Sequence, residues 1–144
     1  MRLVTYDDGG PRLGLVREGR VADLAALGEA LGRHHTAYLL LGSSGRPHVA
    51  QVFPRLVDDL LIVAEPGRTA RRIVPDSPEV TVMMPPTERG GYTLIIDGAA
   101  VIRDDGALEL TPTHAVLHRA SDHRAHETHD SACGNDCQPI DAQT

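Results

Sequence analysis

The chain has 144 residues, the length of one domain, and 41% of them are hydrophobic, enough for a core. Only 3% are aromatic (Tyr6, Tyr38, Phe53 and Tyr92, with no Trp) and the formal charge is −6, so no nucleic-acid partner is expected. All 14 basic residues are Arg, which removes chemistry that needs a lysine amine, such as a pyridoxal-phosphate Schiff base or a Walker A lysine.

In chain order, Arg2 to Tyr6 and Arg12 to Arg17 read as short strands around the turn Asp7-Asp8-Gly9-Gly10-Pro11. Val21, Leu24, Leu27 and Leu31 recur at three or four residues and predict an amphipathic helix from about Ala22 to Arg33. Strands are then expected over Thr36 to Leu41, Arg46 to Phe53 and Leu60 to Ala64, with Pro54 ending the second or placing it at an edge. Arg68 to Val74 predicts one or two helical turns, stopped by Pro75 and Pro78. Val80 to Met84 and Tyr92 to Ile102 follow as strands, the latter with a bulge or bend at Gly98. Arg103-Asp104-Asp105-Gly106 is a hairpin turn, Ala107 to Leu110 returns, and Thr113 to Arg119 is expected as a short helix.

The pattern predicts a mostly β fold: a small antiparallel barrel with short helices and an N-terminal hairpin-helix cap. Three regions are expected: a cap over residues 1–35, a barrel over 36–120, and a polar, flexible His/Cys tail over 121–144. No apolar run reaches the length of a membrane span, and no secretion signal precedes the first strand, so a cytoplasmic location away from membranes is expected.

Two constellations carry chemistry. Arg68, Arg71 and Arg72 stand at i, i+3 and i+4 after Pro66-Gly67, so they share one helix face, with Thr69 in the same turn and Glu65 as a nearby carboxylate. The group reads either as a phosphate grip or as a solvated basic face. In the tail, His126, His129, Cys133 and Cys137 form H-x2-H-x3-C-x3-C, ligand types that suit zinc. All four lie within twelve residues, which is cramped for zinc; a reversible Cys133–Cys137 disulfide and a tail without a site are the alternatives. His114 and His118 offer a further pair.

The ordered set of segments from Thr36 to Arg119 resembles the FMN-binding split β-barrel family, the pyridoxamine-phosphate-oxidase-like proteins. Gly45-Arg46-Pro47-His48-Val49-Ala50-Gln51-Val52 resembles the family's "G-x-P-x-x-x-P-V" strand, and Asp59 to Ala64 the next strand. Gly67-Arg68-Thr69-Ala70-Arg71-Arg72-Ile73-Val74, then Pro78, resembles its phosphate-gripping helix, "G-x-x-K-x-R-N-L". Gly91-Tyr92 through Gly98-Ala99-Ala100-Val101 resembles its fifth strand, where "G-x-A" recurs. Ala70 stands where the family usually has Lys, while Arg72 keeps the following basic position.

The resemblance implies a flavin-dependent oxidoreductase acting on a small molecule, with FMN, or alternatively F420 or haem, bound by a homodimer. The ring would lie against Val49 to Val52 and Val63 to Glu65, with His48 and Gln51 offering hydrogen bonds to its edge, and the phosphate near Arg68, Thr69, Arg71 and Arg72, with Arg68 or Arg46 in place of the missing Lys. No catalytic side chain is implied. A non-enzymatic cofactor-binding, metal-binding or redox-sensing protein on the same barrel is the rival reading. The first 27 residues resemble the cap of fumarylacetoacetate-hydrolase-type proteins, whose catalytic domain this chain is too short to hold.

Overall fold

A computed structural model describes residues 2–7, 11–17, 20–42, 45–119 and 137–140. β1 (Arg2–Asp7), β2 (Pro11–Arg17) and β3 (Arg20–Asp23) form an antiparallel three-stranded sheet in that order. Residues 20–23, expected as the entry to a helix, pair with Gly14 to Arg17 instead, and α1 is confined to Leu24–Gly32. Leu27 and Ala30 are the buried residues of α1. The ring of His34 then lies between the carbonyls of Ala30 (2.6 Å) and Tyr92 (2.9 Å), which ties the end of α1 to the segment before β9.

The remaining strands are β4 (Ala37–Gly42), β5 (Pro47–Val52), β6 (Pro54–Val57), β7 (Leu60–Val63), β8 (Glu79–Met84), β9 (Thr93–Ile102), β10 (Leu108–His118) and β11 (Cys137–Pro139), with α2 over Arg68–Ile73. They form one antiparallel sheet of order β5-β4-β8-β9-β10-β7-β6, with β11 also pairing β10. β5 and β6 occupy opposite edges of this order, yet only Phe53 separates them in sequence. The sheet must therefore curl until its two edges meet at Phe53. This is the mostly β, antiparallel split barrel expected from the sequence. Pro54, which donates no ladder hydrogen bond, opens the edge strand β6.

One face of the curl makes the core. Leu39, Leu61, Val82, Leu94, Ile96, Leu108 and Leu110 are fully buried, and α2 adds Ala70, Ile73 and Val74 from outside the sheet. Removing one such leucine to alanine typically costs about 2–5 kcal/mol.

β10 departs from expectation. Residues 113–118, expected within a short helix, continue the strand, because His114 to His118 each find a ladder partner on β9. The register shifts between Pro112 and His114, so Thr113 is an extra residue opposite Asp97. The bend expected at Gly98 lies at the same place: a Cβ there would stand 2.2 Å from the Thr111 carbonyl oxygen. The tail also departs in part. Cys137–Pro139 pairs β10 and Ile140 is buried, its amide donating to the Ala115 carbonyl, because Val116 to His118 leave a strand edge free of β7.

Candidate functional site

The pairing Pro54↔Val63 sets Phe53 beside Ala64, so the end of β5 and the end of β7 meet at one corner of the barrel. α2 begins four residues beyond Ala64. Gln51, Phe53, Ala64, Glu65 and α2 thus gather at the corner where the sheet edges meet. Alternation along β5 puts Val49, Gln51 and Phe53 on one face, and all three are exposed, Phe53 to 76%. A large aromatic side chain left this open, at the end of a face that also exposes Val49, is a surface suited to a flat apolar partner.

The arginines of α2 occupy distinct settings. Arg68 and Arg72 are exposed, whereas Arg71 is half-buried. Arg71 Nε donates to the Gly106 carbonyl at 2.9 Å, and its Nη2 donates to Glu65 Oε2 at 3.2 Å. Gly106 has φ +84°, and a Cβ on it would stand 3.2–3.3 Å from Nε, Cζ and Nη2 of Arg71. The guanidinium therefore lies against the bare glycine and is held by two elements, α2 and the β9–β10 turn. Asp105 Oδ1 accepts from the Ala107 amide at 3.0 Å and closes that turn.

Position 70 explains the departure from the family pattern. Ala70 is fully buried in the core, so no ligand group belongs there on this helix. The outward positions are 68, 71 and 72, and all three are arginine. At six residues α2 is too short for its dipole to carry an anion site, so any grip rests on the guanidiniums.

Of the other expected residues, Val63 is buried, so only its backbone faces the corner, and Thr69 is half-buried. Arg46 precedes β5, five residues from Gln51, which is roughly 16 Å of extended chain. His126, His129 and Cys133 lie outside the described residues. Cys137 lies opposite His118 in the β10–β11 register. Among the described residues no group of three or more His, Cys, Asp or Glu is placed to hold a metal.

The sequence reading missed a second polar cluster on the outer face of the sheet. Asp97 Oδ1 accepts from the Thr81 hydroxyl at 2.5 Å, and its Oδ2 lies 3.4 Å from His114 Nδ1. The Thr113 hydroxyl donates to the Asp97 carbonyl at 3.3 Å. The bulge sets two residues against one, and both reach Asp97. Only the unusual Gly98 signalled it. Phe53 was also missed; its signal was an aromatic residue placed directly before a strand-breaking proline.

No protein-family profile matches the chain. It is 34% identical to the uncharacterized proteins Mb0449c of Mycobacterium bovis and MT0457 of Mycobacterium tuberculosis, over 67% of this chain and 80% of theirs. The chain belongs to the family of these mycobacterial proteins. Among solved structures, the fold is similar to a Listeria innocua protein described as a candidate pyridoxamine 5'-phosphate oxidase, with TM-score 0.55 and 14% identity over 65% of this chain and 95% of that one. It is also similar to an FAD-binding protein of Mycobacterium smegmatis, with TM-score 0.50 and 11% identity over 63% and 88% of the two chains. A NimC/NimA family protein of Clostridium acetobutylicum gives TM-score 0.50 and 14% identity over 83% and 91%. These likenesses show the fold alone, an antiparallel split barrel. None of these matches is of fumarylacetoacetate-hydrolase type, so the resemblance of the first 27 residues gains no support. Among the described residues no helix is long and apolar enough to cross a membrane.

Proposed function

We propose that this protein binds a flavin at the corner between β5, β7 and α2 and serves as a flavin-dependent oxidoreductase on a small molecule. The observation that carries the reading is the meeting, at one corner, of an exposed apolar strand face and three outward arginines. The first suits a flat ring and the second a phosphate. FMN is the favoured cofactor because it has both parts and a single phosphate group. A flavin supplies hydride or electron transfer when bound. The chain's own residues bind and orient. Val49 and Phe53 offer apolar area, the Gln51 amide can hydrogen-bond a ring edge, and Arg68, Arg71 and Arg72 hold the anion.

Two features of the fold neighbours favour this reading: one is named for FAD binding and one for a pyridoxamine 5'-phosphate oxidase. The test is a fluorescence titration of FMN into the cofactor-free protein, with F420 and haem followed by their own absorption bands. Saturable quenching of FMN supports the reading; no saturable response to FMN refutes it as a flavin site.

The same reading includes a homodimer. The outward residues of β9 include Ile95, Ala99 and Val101, and Val101 is 57% exposed. A second subunit would cover this face and wall in the open corner. Light scattering at micromolar concentration checks it: twice the mass of a 15.5 kDa chain is expected, and a monomer that still binds FMN contradicts it.

A further inference from the structure

We propose that Glu65 is an internal stand-in for the ligand's phosphate: its carboxylate occupies the anion-facing edge of Arg71 and must leave when a phosphomonoester binds. The inference rests on the flavin reading for the identity of the ligand, but its geometry is independent of it. Arg71 is held on one side only. Its Nε is committed to the Gly106 carbonyl at 2.9 Å, and the guanidinium lies where a side chain on Gly106 would be. Its Nη2 is turned to Glu65 Oε2 at 3.2 Å.

The two partners of that ion pair differ sharply. The Arg71 side chain is 38% exposed, and that of Glu65 is 87% exposed. A carboxylate so open to water gives up little on leaving, because exposed pairs are weak and readily exchanged. Arg71 by contrast stays in place through its bond to the turn. A guanidinium with one edge anchored and the other holding a replaceable oxyanion is prepared for a partner that presents two oxygens to it, as a carboxylate or a phosphate does. Arg68 and Arg72, exposed on the same short helix, add two positive charges that one glutamate does not balance. The deficit favours a dianion over a second carboxylate, which points to a phosphomonoester rather than a carboxylic acid.

The exchange sets ligand choice as well as affinity. A ligand without an anion leaves the Glu65–Arg71 pair intact and gains nothing from the cluster. A phosphorylated ligand displaces Glu65 and gains Arg71. Glu65 then discriminates by competition, and removing its charge should tighten binding of phosphorylated ligands alone.

The test compares wild type with Glu65→Gln in three titrations: FMN, riboflavin and inorganic phosphate. Flavin binding is read by fluorescence. Phosphate binding is read by the Nε–Hε resonance of Arg71, identified by its loss in Arg71→Gln. Glu65→Gln is expected to tighten FMN and phosphate by about two- to fivefold and to leave riboflavin unchanged, the range an exposed ion pair supports. Glu65→Asp, which keeps the charge but is one methylene too short for the contact, should tighten them by a smaller amount. Equal affinities of wild type and Glu65→Gln for phosphate would overturn the inference, as would an equal gain for riboflavin. If neither protein binds FMN while phosphate shows the expected ratio, the flavin reading fails and the role of Glu65 stands.

Discussion

Two glycines hold two polar clusters in this barrel, and they do it in opposite ways. At the centre of the sheet, Gly98 lets the Thr111 carbonyl approach so closely that any Cβ would overlap it. There backbone meets backbone, and the bulge at Thr113 is built around the contact. At the corner, Gly106 admits the flat guanidinium of Arg71, the end of a flexible side chain. The central cluster of Thr81, Asp97 and His114 is thus locked into the ladder of β8, β9 and β10. The corner cluster of Glu65, Arg68, Arg71 and Arg72 hangs on side-chain contacts that a ligand can exchange. The contrast matches a structural role for the centre to the ligand binding proposed at the corner.

The largest effect should come from breaking the centre. Gly98→Ala forces the β9 and β10 backbones apart, because the clash is with a carbonyl rather than a movable side chain. A loss on the order of 3 kcal/mol, or roughly 10 °C in Tm, is expected from thermal unfolding followed by circular dichroism. A Tm within a few degrees of wild type would mean that the two strands are not pinched together at this point.

Arg72→Ala should do the reverse. Charge-assisted hydrogen bonds to phosphate contribute about 1.5–3 kcal/mol each, so FMN affinity should fall roughly ten- to a hundredfold. Arg72 is exposed, and the unfolding free energy should stay within about 0.5 kcal/mol of wild type. A fall in stability with unchanged FMN affinity would exchange the roles given to corner and centre.

Gly106→Ala lies between these two. The left-handed φ of +84° disfavours alanine by roughly 1–2 kcal/mol, and the new methyl pushes the Arg71 guanidinium by a few tenths of an ångström. A modest drop in Tm and a several-fold loss of phosphate binding are expected together, whereas Gly98→Ala should lower Tm far more than the affinity of the protein that remains folded. The smallest effect is expected for Phe53→Ala. With 76% of its surface in water, Phe53 contributes little to the core, so Tm should hold while riboflavin binding weakens by a few-fold. A drop of many degrees would instead place Phe53 in the packing of the corner.

The sequence carried most of the barrel because the barrel depends on local signals. Pro54 just beyond β5, glycine and aspartate in the turns, and apolar runs in β4, β7 and β8 each marked an element or its boundary, whereas β6 had no signal of its own. It failed where pairing across distance decided the outcome. Thr113 to His118 has no strong local preference, and it became strand because β9 offered partners to His114 through His118. Arg20 to Asp23 likewise joined β2 rather than α1. Cys137 to Pro139 is a short polar segment whose strand exists only because the upper part of β10 has an open edge.

The corner was legible in part. Arg68, Arg71 and Arg72 could be read as one face from their spacing, and Glu65 as a carboxylate within reach. The anchoring of Arg71 on Gly106 could not be read, since 35 residues separate them. Ala70 looked like a missing ligand in the linear pattern. In three dimensions it is a core residue, and the basic positions around it are the ones that face outward.

The most direct test of the division between corner and centre is a map of backbone amide shifts as FMN is added. The perturbed amides are expected to cluster at Gln51, Phe53, Ala64 to Arg72 and Gly106, with those of Thr81, Asp97 and His114 little changed. Shifts centred on the Asp97 cluster, with Ala64 to Arg72 unmoved, would contradict it.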